Sequence, residues 1–322
     1  MTVLRAAITA AAATLAEAGI NCARTDAELL AAHAAGTERS RLTLLDSPDA
    51  GFYERFGDAV AVRARRVPLQ HITGTAPFGP LRLKVGPGVF IPRPETESLL
   101  EWSLAQRLPA EPVIVDLCTG SGALALGLAA ALPGARVIAV DDDDTALDYA
   151  RRNAEGSGIL LVRGDVTDPG LMAELKGAVD LVVANPPYIP TGVILEPEVA
   201  EHDPSHALYG GPDGMAVIAP IVRHAAHWLR DGGLLAVEHD DTTSERTAAL
   251  IGATGVFAEV TAHRDLAGRE RFVTARRSGG QERSDRGIGA GGQERSDRGI
   301  GAGGQERSDR GIGAGGQERN EP

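Results

Sequence analysis

The tetrapeptide Asn185-Pro186-Pro187-Tyr188 holds the most specific chemistry in the chain, because it directly follows an apolar run, Val179-Asp180-Leu181-Val182-Val183-Ala184. Leu181 to Ala184 read as a buried strand, rich in β-formers and free of charge. The two prolines stop sheet and helix alike and fix the backbone. The pattern predicts a rigid polar corner at the carboxyl end of a strand, where open α/β sheets place their ligands. Asn185 offers a side-chain carbonyl, Pro186 a backbone carbonyl, and Tyr188 an aromatic wall. Two adjacent acceptors suit a planar NH2 group, either a carboxamide or an exocyclic amine.

A second constellation lies upstream. Pro112 to Leu117 reads as a buried strand that carries an acid, Asp116, near its end. Cys118-Thr119-Gly120-Ser121-Gly122 forms the following turn, and Ala123 to Ala131 the helix it opens. Glycines there let a backbone approach a ligand without a Cβ clash. A strand from Arg136 to Val140 ends in Asp141, about twenty residues after the glycines, where an acid would hold ribose hydroxyls. A third strand reaches Gly164-Asp165-Val166, placed to meet an adenine edge. Of the run Asp141 to Asp144, only Asp141 is expected to touch a nucleoside. Gly120 to Ala125 also fits the dinucleotide fingerprint, so a nicotinamide cofactor competes with S-adenosylmethionine. Asp116 favours the latter, which has no pyrophosphate to repel, and an amine clamp at Asn185 has no use in a dehydrogenase.

Strand signals at 112–117, 136–140, 159–163, 179–184, 232–238, 256–261 and 271–276 alternate with helices, which predicts a doubly wound α/β sheet with parallel strands. The last two strands leave little room for a helix, so an antiparallel hairpin at the sheet edge is expected. Residues 75–91 change to short alternating pieces with Gly and Pro, a β-hairpin linker. Residues 1–74 read as helices: Leu4, Ile8, Ala11, Leu15 and Ala18 share a face, and Gly19 stops the first helix. The Ala-rich opening resembles a signal peptide only superficially, since Glu17 interrupts it. Thr25-Asp26-Ala27-Glu28 has the form of a capping box for a second helix, and 49–66 reads as another. This helical part is expected to recognise a partner and residues 92–277 to carry the chemistry.

From residue 278 the composition breaks. Gly-Gly-Gln-Glu-Arg-Ser-Asp-Arg-Gly-Ile-Gly-Ala occurs three times from Gly279 and starts again at Gly315. One Ile per twelve residues cannot sustain a core, so a disordered tail is expected over 278–322. The formal net charge of −12 argues against a nucleic-acid substrate. Two cysteines, Cys22 and Cys118, give no disulfide framework and fit a reducing, cytoplasmic setting. No run approaches the length of a membrane span. His202 and His206 flank Pro204, which breaks any helix and argues against a metal pair, and no metal is expected.

These segments together resemble the class I, S-adenosylmethionine-dependent methyltransferases, and among them the protein-(glutamine-N5) methyltransferases of peptide chain release factors. The resemblance spans about residues 1–277. Pro68 to Gly74 is similar to that family's linker and Phe90-Ile91-Pro92-Arg93-Pro94-Glu95-Thr96-Glu97 to its most diagnostic segment. Asp116 to Gly122, Asp141, Asn185 to Pro190, Ala207 to Gly214 and Asp265 to Arg271 follow in the family's order. Cys118 departs from it, standing where the family usually has Gly, and should tighten the pocket or expose it to oxidation. The resemblance implies a seven-stranded sheet, S-adenosylmethionine as cofactor, and a glutamine in a Gly-Gly-Gln loop of a release factor as acceptor. It implies that Asn185, Pro186 and Tyr188 are catalytic, and that Phe90, Asn185, Pro186, Pro187 and Tyr188 meet the substrate. Asp116, Cys118, Thr119, Gly120, Ser121, Gly122, Asp141, Asp165, Val166 and Asn185 would meet the cofactor. A ribosomal-protein glutamine is the nearest alternative acceptor. A DNA adenine shares the same clamp but requires a basic target-reading region.

Overall fold

The computed structural model describes residues 3–45, 47–265 and 267–279. The expected disorder of the repeat tail therefore falls almost wholly outside the described residues, as does Leu266. The chain opens with helices α1 (Val3–Glu17), α2 (Ala23–Ala34) and α3 (Phe52–Ala64), with a 3-10 turn at Arg39–Leu44. Leu4, Ile8, Ala11 and Leu15 form the buried face of α1, as their spacing predicts. Helix α2 begins two residues before the expected capping box. Cys22 stands at its N-cap without a side-chain hydrogen bond. The acids of the expected box are engaged elsewhere: Asp26 accepts from the buried Arg63 at 2.7 Å, and Glu28 pairs with Arg24 and Arg39. Arg63 also donates to Glu198 Oε1 at 3.0 Å, tying the helical part to the segment that follows the Asn185 corner.

A short helix, α4 (Leu69–Thr73), ends at Gly74 with φ 73° and leads into the antiparallel hairpin of β1 (Thr75–Phe78) and β2 (Leu81–Lys84). Then come α5 (Pro94–Leu104), β3 (Val113–Leu117), α6 (Ala123–Ala131), β4 (Arg136–Asp141), α7 (Asp144–Asn153), β5 (Leu160–Arg163) and β6 (Val179–Ala184). The remainder comprises α8 (Pro197–His202), α9 (Ile218–Trp228), β7 (Leu229–Glu238), α10 (Ser244–Ala253), β8 (Phe257–Arg264) and β9 (Glu270–Arg277). Strands β3 to β9 form one seven-stranded sheet in the order β5-β4-β3-β6-β7-β9-β8. All pairs are parallel except β7–β9 and β8–β9, so the last two strands make the expected edge hairpin.

Sequence explains this layering. All six residues of β6 are buried, and β3 is buried from Ile114 onward, as parallel strands covered on both faces must be. Helix α6 is buried over Ala123 to Leu128 because it packs between the sheet and α5. Strand β7 starts three residues earlier than its apolar run suggests. A register irregularity against β6 passes through Gly232-Gly233, where a Cβ on Gly233 would lie 3.0 Å from the Val179 carbonyl oxygen. Two hydrophobic clusters cover the two sheet faces, with Trp228 wholly buried in one of them, and a third fills the helical part. Among the described residues no helix is long and apolar enough to cross a membrane.

The topology puts the chemistry in one place. Strand order runs outward in opposite directions from β3 and β6, so the crevice between their carboxyl ends is the topological switch point. Leu117 and Ala184 are register partners across that pair. Cys118 and Asn185 therefore leave the sheet side by side.

Candidate active site

A cavity of about 290 Å³ opens at this switch point. From β3 it receives Cys118 and Gly120, from β4 Asp141 and Asp142, and from the end of β5 Asp165 and Val166. Asn185, Pro186, Pro187 and Tyr188 form the adjoining wall, and Phe90 closes another side. Both Asp141 oxygens accept from backbone: Oδ2 from Gly120 N at 2.8 Å and Oδ1 from Asp143 N at 3.1 Å. Burial nevertheless lifts the Asp141 carboxyl to about 6. Asp142 lines the cavity too, which the sequence reading did not anticipate. Asp143 caps α7 through Ala146 N, and Asp144 pairs with Arg163.

Four residues expected at the cofactor sit behind the cavity wall. Asp116 is fully buried and turns inward, where Oδ2 accepts from Thr119 Oγ1 at 2.6 Å and Ala125 N at 3.1 Å. Burial raises its carboxyl to about 7. Thr119 and Ser121 are buried, and Gly122, with φ 90°, starts α6. These residues shape the loop that Cys118 and Gly120 present to the cavity.

Cys118 holds a left-handed backbone, φ 59°, a conformation that accounts for glycine being usual there. Burial and then the surrounding aspartates, Asp141 first, push its thiol well above the ordinary range. The thiolate needed for oxidation is thereby suppressed. At pH 8 an alkylating agent is expected to label the exposed Cys22 at least about tenfold faster than Cys118. Peptide mass spectrometry over time reads this, and equal rates would contradict it.

A buried polar chain backs the acceptor corner. Asn185 Nδ2 donates to Thr96 Oγ1 at 3.0 Å, and Thr96 Oγ1 donates to Glu238 Oε2 at 2.8 Å. The Tyr188 hydroxyl donates to Glu238 Oε1 at 3.0 Å, so its ring faces the cavity while its polar end is occupied. Burial lifts Glu238 to about 7, opposed by the Thr96 and Tyr188 hydrogen bonds and by the nearby Arg271, which Asp265 holds at 3.2 Å. Burial, then Glu238, pushes the Tyr188 hydroxyl well up. Thr96 and Glu238 were missed as site residues. The available signal was an acid ending an apolar strand, Leu235-Ala236-Val237-Glu238, the same pattern that marked Asp141.

Arg93 lies over the Phe90 ring at 4.9 Å and pairs with the buried Asp203, which pins the segment carrying Phe90. Among the described residues no cluster has a metal-ligand arrangement. His202 ends α8 with its ring 6.4 Å from that of His71, and His206 lies 3.6 Å from Asp143. His224 is buried on α9 and stacks on Trp228.

The corner itself is held from below by the Ala207 to Gly214 segment. Gly214 has φ 78°, and a Cβ there would lie 2.3 Å from the Tyr188 carbonyl oxygen. Gly214→Ala is expected to lower unfolding free energy by about 2–4 kcal/mol, combining left-handed strain with a backbone clash. Gly36→Ala, where φ is 61° and nothing lies within 4 Å, should show only the strain, about 1–2 kcal/mol. Urea unfolding of both variants checks the difference, and equal losses would refute the close approach.

The cavity's charge narrows its ligand. Asp141, Asp142 and Asp165 line it, and no lysine or arginine does among the described residues. That acidic lining repels a pyrophosphate and suits a phosphate-free nucleoside carrying positive charge, as S-adenosylmethionine does. Fold and site thus define a methyltransferase, and residues 87–201 match the family described as the methyltransferase small domain. Residues 6–74 match the PrmC N-terminal domain. The release factor glutamine methyltransferase of Mycolicibacterium smegmatis is 65% identical over 277 residues, covering 86% of this chain and 99% of that protein. The Mycobacterium tuberculosis H37Rv protein of the same name is 62% identical over 280 residues, covering 86% and 92%. That of Corynebacterium glutamicum is 47% identical over 283 residues, covering 86% and 100%. The chain belongs to the release factor glutamine methyltransferase family.

Proposed function

We propose that the protein methylates the side-chain nitrogen, N5, of the glutamine in the Gly-Gly-Gln motif of peptide chain release factors, in the cytoplasm, and so acts on translation termination. The observation that carries this reading is the shared wall: the Asn185 corner and the acidic nucleoside cavity adjoin at one switch point. S-adenosylmethionine, when bound, supplies an electrophilic methyl group on a sulfonium. Asp141 would hold the ribose, Asp165 and Val166 the adenine, and Cys118 and Gly120 the loop side of the nucleoside.

An amide nitrogen is a weak nucleophile because its lone pair is delocalised into the carbonyl. Asn185 Oδ1 and the Pro186 carbonyl would accept its two hydrogens and hold it in line for transfer. Positioning of this kind supplies much of the barrier reduction without a strong base. The nitrogen becomes far more acidic as the new N–C bond forms and the S–C bond breaks, so its proton can leave late. It would leave along the hydrogen bond to Asn185 Oδ1 or the Pro186 carbonyl, and from there to solvent as the product departs. Phe90, Pro187 and Tyr188 would wall the amide and keep water out. Residues 1–74 would grip the folded release factor, with the 75–91 hairpin as linker to the catalytic part, 92–277.

Gly-Gly-Gln also occurs at 279–281, 291–293, 303–305 and 315–317 of this chain, in the tail that lies almost wholly outside the described residues. A tethered copy has a high effective concentration. It lacks, however, the folded release-factor domain that the helical part would grip. Truncation after Arg277 is expected to leave activity on release factor within a few-fold. A large fall in KM on truncation, or methyl groups on Gln281, Gln293, Gln305 or Gln317, would show the tail competing. The proposed substrate is tested by incubating the protein and labelled S-adenosylmethionine separately with release factor, ribosomal protein and DNA. Label in the release factor alone is expected, and label in either of the others would refute it.

A further inference from the structure

The chain of polar groups behind Asn185 has a direction. Thr96 is 3% exposed and Glu238 1%, so solvent supplies neither with an alternative partner. A hydroxyl has one proton, and above about pH 7, where Glu238 is a carboxylate, that of Thr96 goes to it. Toward Asn185, Thr96 can therefore only accept. The Asn185 NH2 must face it, which leaves Oδ1 as the free polar atom on the cavity side. Turned over, the carboxamide would press its oxygen against a lone pair of Thr96 with no proton between them. The second Glu238 oxygen is taken by the Tyr188 hydroxyl, so the carboxylate cannot swing away to release Thr96.

We propose that Thr96, anchored on Glu238, is the positioning residue that sets acceptor specificity. By fixing Asn185 with its oxygen outward, it makes the site accept a primary carboxamide, which has two N–H donors, and reject the carboxylate of the same shape. This rests on the reading of the corner as a glutamine-amide site. A glutamate, the deamidated counterpart of the substrate glutamine, would meet Oδ1 with an oxygen and be excluded.

The test compares a release factor with one whose motif glutamine is replaced by glutamate. Thr96→Val keeps the shape of the side chain and removes the hydroxyl. It is expected to lower kcat on the glutamine factor by roughly ten- to a hundredfold, the scale of one lost positioned hydrogen bond. Cofactor Kd stays within about twofold, since Thr96 does not line the cavity. The freed carboxamide can then present its NH2, so inhibition by the glutamate factor tightens about tenfold relative to KM for the glutamine factor. Thr96→Ser restores both values. If Thr96→Val does not fold, Thr96→Ala takes its place. A fall in kcat with unchanged discrimination would mean a purely structural role and overturn the proposal, as would no change in either. Exchange of the Asn185 side-chain NH2 protons, followed by NMR on full-length protein, reads the relay without substrate. Exchange is expected to be at least about tenfold slower in the wild type than in Thr96→Val, and equal rates would overturn the relay. Wild-type protein inactive on the glutamine factor but with protected Asn185 protons would instead refute only the substrate.

Discussion

Asn185→Ala is expected to reduce methyl transfer by about a hundredfold or more while leaving cofactor affinity nearly unchanged. The side chain sits on the acceptor side of the cavity wall, and its nitrogen is already held by Thr96, so what alanine removes is the acceptor oxygen. The substrate amide would then keep only the Pro186 carbonyl and could rotate out of line. The loss should appear in kcat more than in KM, because a release factor is gripped over a larger surface than the glutamine. Single-turnover kinetics and calorimetry with cofactor separate the two quantities. Wild-type turnover in the variant would remove Asn185 from the mechanism.

Asp141→Ala should do the reverse. Loss of a charged hydrogen-bonding group at the ribose is expected to weaken cofactor binding by about ten- to a hundredfold. Asp141 also accepts from Gly120 N and Asp143 N, so its removal loosens the glycine loop in the same direction. The pH dependence has a definite sign. Burial lifts the Asp141 carboxyl from 3.8 to about 6. Ribose hydroxyls donate better to the carboxylate, so cofactor affinity should fall as pH drops through about 6, and Asp141→Asn should lose that dependence. The ligand-free fold shows the opposite trend from this group. Its raised value contributes stability at acid pH that is lost as pH rises from about 4 through about 6. Calorimetric titration with cofactor across that window checks the first and urea unfolding the second, and an unchanged dissociation constant in Asp141→Ala would remove Asp141 from the cofactor site.

Much of the architecture could be read from local pattern. The apolar runs of β3, β4 and β6 end at Cys118, Asp141 and Asn185, and the sheet brings those three ends to one crevice. The edge hairpin followed from the short spacing of its strands. What local pattern could not supply was long-range. Thr96 and Glu238 stand 89 and 53 positions from Asn185 in the chain, and only tertiary packing joins them to it. Asp116 was expected at the ligand because it stands beside a glycine loop, whereas Thr119 and Ala125 hold one of its oxygens behind the cavity wall. The capping box at Thr25 is not formed because α2 starts two residues earlier, at Ala23, and Glu28 pairs with Arg24 and Arg39.

The proposed acceptor is one amide nitrogen in one tripeptide, and tandem mass spectrometry of a release factor after reaction with the protein and S-adenosylmethionine tests this. A single methyl group on the side-chain nitrogen of the Gly-Gly-Gln glutamine is predicted, absent when Asn185→Ala replaces the wild type. A methyl group on any other residue of the factor, or none under conditions where the protein binds cofactor, would contradict it.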